Sequence, residues 1–173
     1  PIVGTLVDPN SRLGNYNVSN SDGALTISKA SITVVNTNRS KVYGQTLTDT
    51  DYSGSITGIV AGDAITVTRS STGGVATATV SSSTYPIVGT LVDPNGRLGN
   101  YNVTNTDGAL TVTKASITVV NTNRSKVYGE TLTDADYSGS ITGVVAGDAI
   151  TVTRASTGSV ATATVAGSTY RSE

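Results

Sequence analysis

An internal repeat governs how this chain can fold. The segment that begins at Pro1 recurs at Pro86, and at this offset of 85 residues the two copies, 1–85 and 86–170, differ at 12 positions. Such similarity between adjacent copies is typical of tandem repeat proteins, in which each unit contacts mainly its neighbours. We therefore expect a series of small similar modules and not one fold that spans all 173 residues.

Short segments of alternating apolar and polar residues dominate each copy, and Thr and Val are their main components. This period of two indicates half-buried β-strands, and the clusters of Asp, Asn, Gly and Pro between them indicate tight turns. An acidic segment at residues 46–52 could form one short helical turn. The sequence predicts strands at residues 30–34, 64–68, 75–80 and 109–113.

The predicted fold class is all-β, with tandem β-sandwich-like modules of about 85 residues and at most one short helical turn in each. A more compact, β-grasp-like arrangement around residues 46–52 is the alternative. With no Phe or Trp in the chain, tyrosine rings are the largest apolar groups available to the cores. These rings are Tyr16, Tyr43, Tyr52, Tyr85, Tyr101, Tyr128, Tyr137 and Tyr170.

The apolar positions change phase at one point in the repeat. They are even-numbered up to Val112 and odd-numbered from Ala115 onward. Because a slip of one residue turns the opposite face of a strand inward, we expect one domain to end near Lys114 and the next to begin there. An alternative phasing makes 1–85 and 86–170 two whole modules. The first phasing gives the C-terminal part of a preceding repeat at 1–28, a complete module at 29–113, the N-terminal part of a following repeat at 114–170, and a tail at 171–173.

Several motifs together resemble a known family. They are Lys41-Val42-Tyr43-Gly44, repeated at Lys126, the Val-Ala-Gly-Asp segments at Val60 and Val145, Thr-Tyr-Pro-Ile at Thr84, and Asn-Tyr-Asn-Val followed by Asp-Gly-Ala-Leu. In this order they resemble the MBG repeats of the YGX type, which occur in large bacterial surface and secreted proteins. The resemblance implies a β-rich stalk module, similar to those of adhesins, at the bacterial cell surface or in the extracellular medium. It provides no catalytic residue to carry over.

Composition excludes several classes of function. The chain has no His and no Cys, which excludes His-based acid–base catalysis, thiol nucleophiles, disulfides and the usual zinc sites. Its 11 basic and 12 acidic residues give a net charge of −1, and this charge offers no footprint for nucleic acid. No apolar segment is long enough for a transmembrane helix. We therefore expect no enzymatic activity, no nucleic-acid partner and no membrane insertion.

One spacing of acidic residues is compatible with a metal site. Asp49 and Asp51, with Asp134 and Asp136 in the second copy, are spaced like the opening of a calcium loop. The remaining residues of an EF-hand loop are absent, and aspartates in turns are more often solvated or capping. Calcium is the one cofactor that the sequence suggests, and these four residues are its candidate ligands.

Two functions of different classes remain. The first is a structural spacer, or stalk, that projects a distal binding domain, with neighbouring repeats of the same chain as its partners. The second is an adhesive module that binds glycans or a host surface. Under the first phasing, residues 1–28 and 114–170 are complementary parts of one module, so the chain could also associate head to tail by strand donation.

Overall fold

The computed structural model describes residues 1–81, 84–165 and 170, and these residues form an all-β structure, as the sequence predicts. In this part of the chain, three-residue 3-10 helices lie at Leu13–Asn15, Asp49–Asp51, Thr72–Gly74, Leu98–Asn100, Asp134–Asp136 and Thr157–Ser159. The strands are β1 (Ala30–Asn36), β2 (Arg39–Val42), β3 (Gly54–Thr57), β4 (Thr66–Ser70), β5 (Tyr85–Val92), β6 (Tyr101–Thr106), β7 (Gly108–Thr113), β8 (Thr118–Asn121) and β9 (Gly139–Thr142). The predicted tail at 171–173 lies outside the described residues.

Strands β1 to β7 form one domain of two mixed sheets. The three-stranded sheet has the order β3-β1-β6, and the four-stranded sheet has the order β2-β7-β5-β4. The pairs β1–β6 and β2–β7 are parallel, whereas β1–β3, β4–β5 and β5–β7 are antiparallel. Both sheets therefore combine strands from before and after Tyr85, and β5 itself begins at that residue.

The core of the domain lies between the two sheets. Alternate residues of β1 are buried, as expected for a strand with one face against a core. One cluster contains Ile32, Val34, Ile65 and Tyr101, with Val67 and Leu91 of the other sheet packed against it. A second cluster contains Tyr52, Ile87 and Leu110.

Two local predictions need correction. Residues 75–80 form a turn at 75–77 followed by irregular backbone, and not a strand: Val75 O accepts from Ala78 N within the segment, and Ala76 O accepts from Gly44 N. The domain also has three short helical turns where one was predicted. The predicted turn is Asp49–Asp51. The other two are Thr72–Gly74, where the Ser71 hydroxyl accepts from Gly73 N, and Leu98–Asn100, where the Asp93 carboxylate accepts from Leu98 N.

The segments on either side of the domain form little β-structure. Residues 1–28 contain one isolated bridge, between Ile2 and Gly23, and the described residues after 114 contain one hairpin of β8 and β9. Apolar residues that are buried in the domain are exposed in these segments: Tyr16 is 71% exposed against 4% for its counterpart Tyr101. None of the short helices in the described residues has the length or hydropathy to cross a bilayer.

Candidate functional site

The candidate calcium ligands are engaged in hydrogen bonds that hold the protein's own backbone. One Asp49 oxygen accepts from Arg69 N. An Asp51 oxygen accepts from the backbone nitrogen and the hydroxyl of Thr48, at 2.8 and 2.9 Å, which holds the pKa of Asp51 below its ordinary value. The other Asp51 oxygen lies 3.7 Å from a guanidinium nitrogen of Arg39. The two aspartates thus cap a short 3-10 turn and anchor it to β4.

The second copy repeats this arrangement. Asp134 accepts from Arg154 N, and Asp136 accepts from the nitrogen and hydroxyl of Thr133. Among the described residues, no three His, Cys, Asp or Glu side chains come together as a potential metal group. The calcium site stays a prediction, and no third carboxylate in this part of the chain adds to it.

A polar network around the buried Asn36 links the two sheets. The side chain of Asn36, on β1, accepts from Arg69 Nε at 3.0 Å and donates to Thr106 O at 2.9 Å. Asn105, on β6, donates to Gly89 O of β5 at 2.6 Å. Because buried amides must be hydrogen-bonded, this network specifies how the sheets stack. The alternation of apolar and polar residues that predicts β1 does not predict these hydrogen bonds.

The Lys-Val-Tyr-Gly motif forms a turn next to the end of the domain. The buried Lys41 amine donates to the carbonyls of Gln45, at 2.8 Å, and Val75, and burial lowers the pKa of this amine. Tyr43 N donates to Thr113 O at 2.8 Å. Gly44 follows with φ +92°, a conformation that favours glycine. We call Tyr43 and Gly44 the YG turn, and it lies beside Thr113, the last residue of β7.

The YG turn contacts the next repeat. The Tyr43 hydroxyl donates to Oδ1 of Asp148 at 2.9 Å, and this hydrogen bond is the main cause that raises the pKa of Tyr43. A Cβ built on Gly44 would lie 2.7 Å from a Val145 methyl. Val145 and Asp148 are the ends of a Val-Ala-Gly-Asp turn, closed by a 3.0 Å hydrogen bond from Asp148 N to Val145 O. We call residues 145–148, and their counterparts 60–63, the GD turn.

Inside the domain, the first GD turn binds a different tyrosine. The Tyr101 hydroxyl donates to Oδ2 of Asp63 at 2.5 Å and accepts from Val60 N at 3.0 Å. The hydrogen bond to Asp63 is the main cause that raises the pKa of Tyr101. The bond pins the GD turn, which connects β3 of one sheet with β4 of the other, to the edge strand β6.

Sequence reasoning placed the Gly-Asp pairs in turns and Tyr43 and Tyr101 among the core rings, but it did not connect them. Tyr101 is indeed buried, whereas Tyr43 is half-buried at the contact with the second GD turn. Both partners of the contact between repeats belong to motifs that the sequence analysis identified, Lys-Val-Tyr-Gly and Val-Ala-Gly-Asp. The partners are 105 residues apart in one pair and 38 in the other, so spacing gave no indication of contact.

The described part of the chain after residue 114 contains an open groove beside β8 and β9. The groove has a volume of about 1230 Å³, and its lining includes Val119, Tyr137 and Arg154. In the domain, the counterparts of these three residues are Val34, Tyr52 and Arg69, and the first two belong to the core. The groove therefore corresponds to the position that the later strands fill in the domain.

Comparison with known protein families gives a match over part of the chain. Residues 32–111 match the model of the MBG domain (YGX type), and the matched segment extends from β1 into β7. No curated protein and no solved structure shows significant similarity to this chain.

Proposed function

We propose that this chain, whose residues 32–111 match the MBG domain (YGX type), is a non-enzymatic structural spacer. In this role it is part of the stalk of a bacterial cell-surface or secreted adhesin and projects a distal binding domain. Its partners are the neighbouring repeats of the same chain. Its place is outside the cell, where a repeat without Cys is inert to oxidation at thiols.

The observation that carries this proposal is the near absence of a linker between repeats. Strand β7 ends at Thr113, and Ala30, the first residue of β1, has Ala115 as its counterpart in the next copy. By this correspondence Lys114 would be the one residue between the last strand of one complete domain and the first strand of the next, and in this structure residues 114–117 separate β7 from β8, which begins at Thr118. Such a link has few free dihedral angles, so consecutive domains keep a fixed orientation and reach scales with copy number.

Stiffness can be tested by ¹⁵N NMR relaxation on the 173-residue chain, at a concentration where light scattering gives the monomer mass. We expect residues 139–148 to share the rotational correlation time of residues 30–113. A chain in which three glycines are inserted after Lys114 is the matched control, and its second segment should tumble faster. A stiff spacer would be contradicted if residues 139–148 tumbled independently of residues 30–113 to the same extent in the unmodified chain and in the control.

A binding assay separates the spacer from an adhesive module. The spacer should bind no glycan on an array and no host cell surface above background. Saturable binding that survives competition with an unrelated protein would favour the adhesive function instead.

We further propose that the isolated chain associates head to tail. Residues 1–28 repeat 86–113, the part of the sequence that carries β6, β7 and all but the first residue of β5, and residues 114–165 repeat the part that carries β1 to β4. Residues 1–28 of a second copy have the sequence needed to fill the open groove beside β8 and β9. They would bury side chains such as Ile2 and Leu25, which are 57% and 71% exposed.

Association is tested by light scattering over a concentration series. We expect the mass to rise with concentration, and a synthetic peptide of residues 1–28 to cap the groove and limit this growth. The same peptide with Ile2 and Leu25 replaced by Ser is the control. A mass that stays at 17.5 kDa at every concentration would contradict strand donation.

A further inference from the structure

The two GD turns of the chain each bind one tyrosine, and they use different oxygens to do so. Asp63 accepts from Tyr101 of its own domain through Oδ2. Asp148, at the same position of the next copy, accepts from Tyr43 of the preceding domain through Oδ1. An ionised carboxylate has two oxygens with about four lone-pair sites, so an aspartate at this position can accept both hydroxyls at once.

We propose that the aspartate of the GD turn is the docking residue by which each repeat binds the preceding one, with Oδ1 accepting the tyrosine hydroxyl of the preceding YG turn. The partner is a second copy of the same repeat in the same chain. Oδ2 remains available for the tyrosine of the aspartate's own domain. This inference rests on the proposed spacer function and assigns residues to the junction that the spacer needs.

Comparison of the two copies supports the assignment from both sides of the junction. Tyr43, which has a repeat after it, is half-buried, whereas Tyr128 is 64% exposed. Val145, which has a domain before it, is half-buried, whereas Val60 is 54% exposed. Both changes are those expected if the YG turn of one repeat covers the GD turn of the next.

The glycines show the same contrast. A Cβ on Gly44 would overlap Val145, whereas a Cβ on Gly129 would meet no atom within 4 Å. Both glycines have φ near +95°, at +92° and +96°, so the turn geometry is the same in the two copies. The difference between them is therefore the presence of the next repeat and not a change in the turn.

The chemistry also fits a junction that sets direction. A carboxylate accepts a phenol hydroxyl along defined lone-pair directions, and a hydrogen bond to a charged group is stronger than one between neutral groups. The adjacent contact between Gly44 and Val145 is apolar and close. One directional bond beside one close packing contact fixes both the separation and the rotation of the two elements.

Matched alanine variants test the docking residue in the full chain. In Asp148→Ala, NMR of ¹³C-labelled tyrosine should show the pKa of Tyr43 falling toward its ordinary value, and that of Tyr101 should not change. In Asp63→Ala the pKa of Tyr101 should fall and that of Tyr43 should not. Neither variant changes a core side chain, and unchanged amide signals in β1 and β5, which contain none of these four residues, would confirm that the domain is folded. A Tyr43 pKa that is the same in Asp148→Ala and in the unmodified chain would overturn the proposal.

A second pair of variants tests whether the bond holds the repeats together. Tyr43→Phe should raise the hydrogen-exchange rate at residues 145–148 roughly threefold to tenfold, while Tyr128→Phe should leave it unchanged. If Tyr43→Phe has no effect although both segments share one correlation time, the docking residue is wrong and the stiff spacer stands. If the unmodified chain already tumbles as two independent segments, the spacer function itself fails.

Discussion

Leu110 and Leu25 occupy the same position of the repeat but lie in different environments, and truncating each to alanine tests where one domain ends. Leu110 is fully buried in the cluster with Tyr52 and Ile87, whereas Leu25 is 71% exposed. The two substitutions are chemically identical. Any difference in their effect on stability therefore comes from the domain to which each leucine belongs.

The expected difference is large. Leu110→Ala removes three buried carbon atoms, which costs about 2.4 kcal/mol in transfer free energy at about 0.8 kcal/mol each. The cavity left behind brings the total to roughly 3–5 kcal/mol. For a domain of this size, a loss of about 3 kcal/mol lowers the melting temperature by roughly 12–24 °C. Leu25→Ala should change the free energy of unfolding by less than about 0.5 kcal/mol.

Urea denaturation followed by circular dichroism measures both values, in dilute solution where the chain is a monomer. The reasoning fails if the two variants are destabilised equally. That result would mean that both leucines are core residues, which is the expectation of the alternative phasing with modules at 1–85 and 86–170.

Three other predictions follow from the contacts. Because Asp63 raises the pKa of Tyr101, the folded state keeps the phenol proton longer than the unfolded state, so stability should fall above about pH 10. The Tyr101→Phe variant should show a smaller fall in urea denaturation at high pH, and an unchanged pH profile would contradict this. Millimolar calcium should leave the melting temperature unchanged, since Asp49 and Asp51 already bind backbone donors; a rise with calcium concentration would support a metal site. Gly44→Ala should shift the NMR signals of the Val145 methyls, whereas Gly129→Ala, with the same positive φ, should not; equal shifts would show that the turn and not the junction is responsible.

The sequence predicted the class of fold because that property depends on local pattern. Alternation of Ile32 and Val34 with polar residues identifies a strand with one buried face, and the structure has β1 there with both residues fully buried. The acidic segment at residues 46–52 also predicted a short helical turn, and the structure has a 3-10 helix at Asp49–Asp51. Residues 75–80 have the same alternation but form no strand, because the hydrogen bond from Ala78 N to Val75 O turns the chain there.

Contacts between distant residues were not predictable in the same way. The difference between Gly74 and its counterpart Ser159 lies in a turn-like sequence, so sequence comparison treats it as drift in a loop. In the structure Gly74 is buried, and a Cβ there would lie 2.5 Å from the Tyr52 hydroxyl, whereas the Ser159 hydroxyl binds that of Tyr137. The substitution thus changes a core contact. The local sequence around Ser159 gives no sign of this contact, because its partner Tyr137 is 22 residues away.

The near-identity of the copies leaves open which copy completes a given half-domain, and chain connectivity decides it. Residues 1–28 and 86–113 could each supply the last strands to residues 30–70. For residues 1–28 to do so, the counterpart of β7 would have to continue directly into β1 through Lys29. Strands β7 and β1 belong to different sheets, and packed sheets are about 10 Å apart. One intervening residue spans at most about 7 Å between its neighbours. The link is therefore too short to join the end and the start of one domain, but it is long enough to pass from one domain to the next, which is why the completing strands come from the C-terminal side.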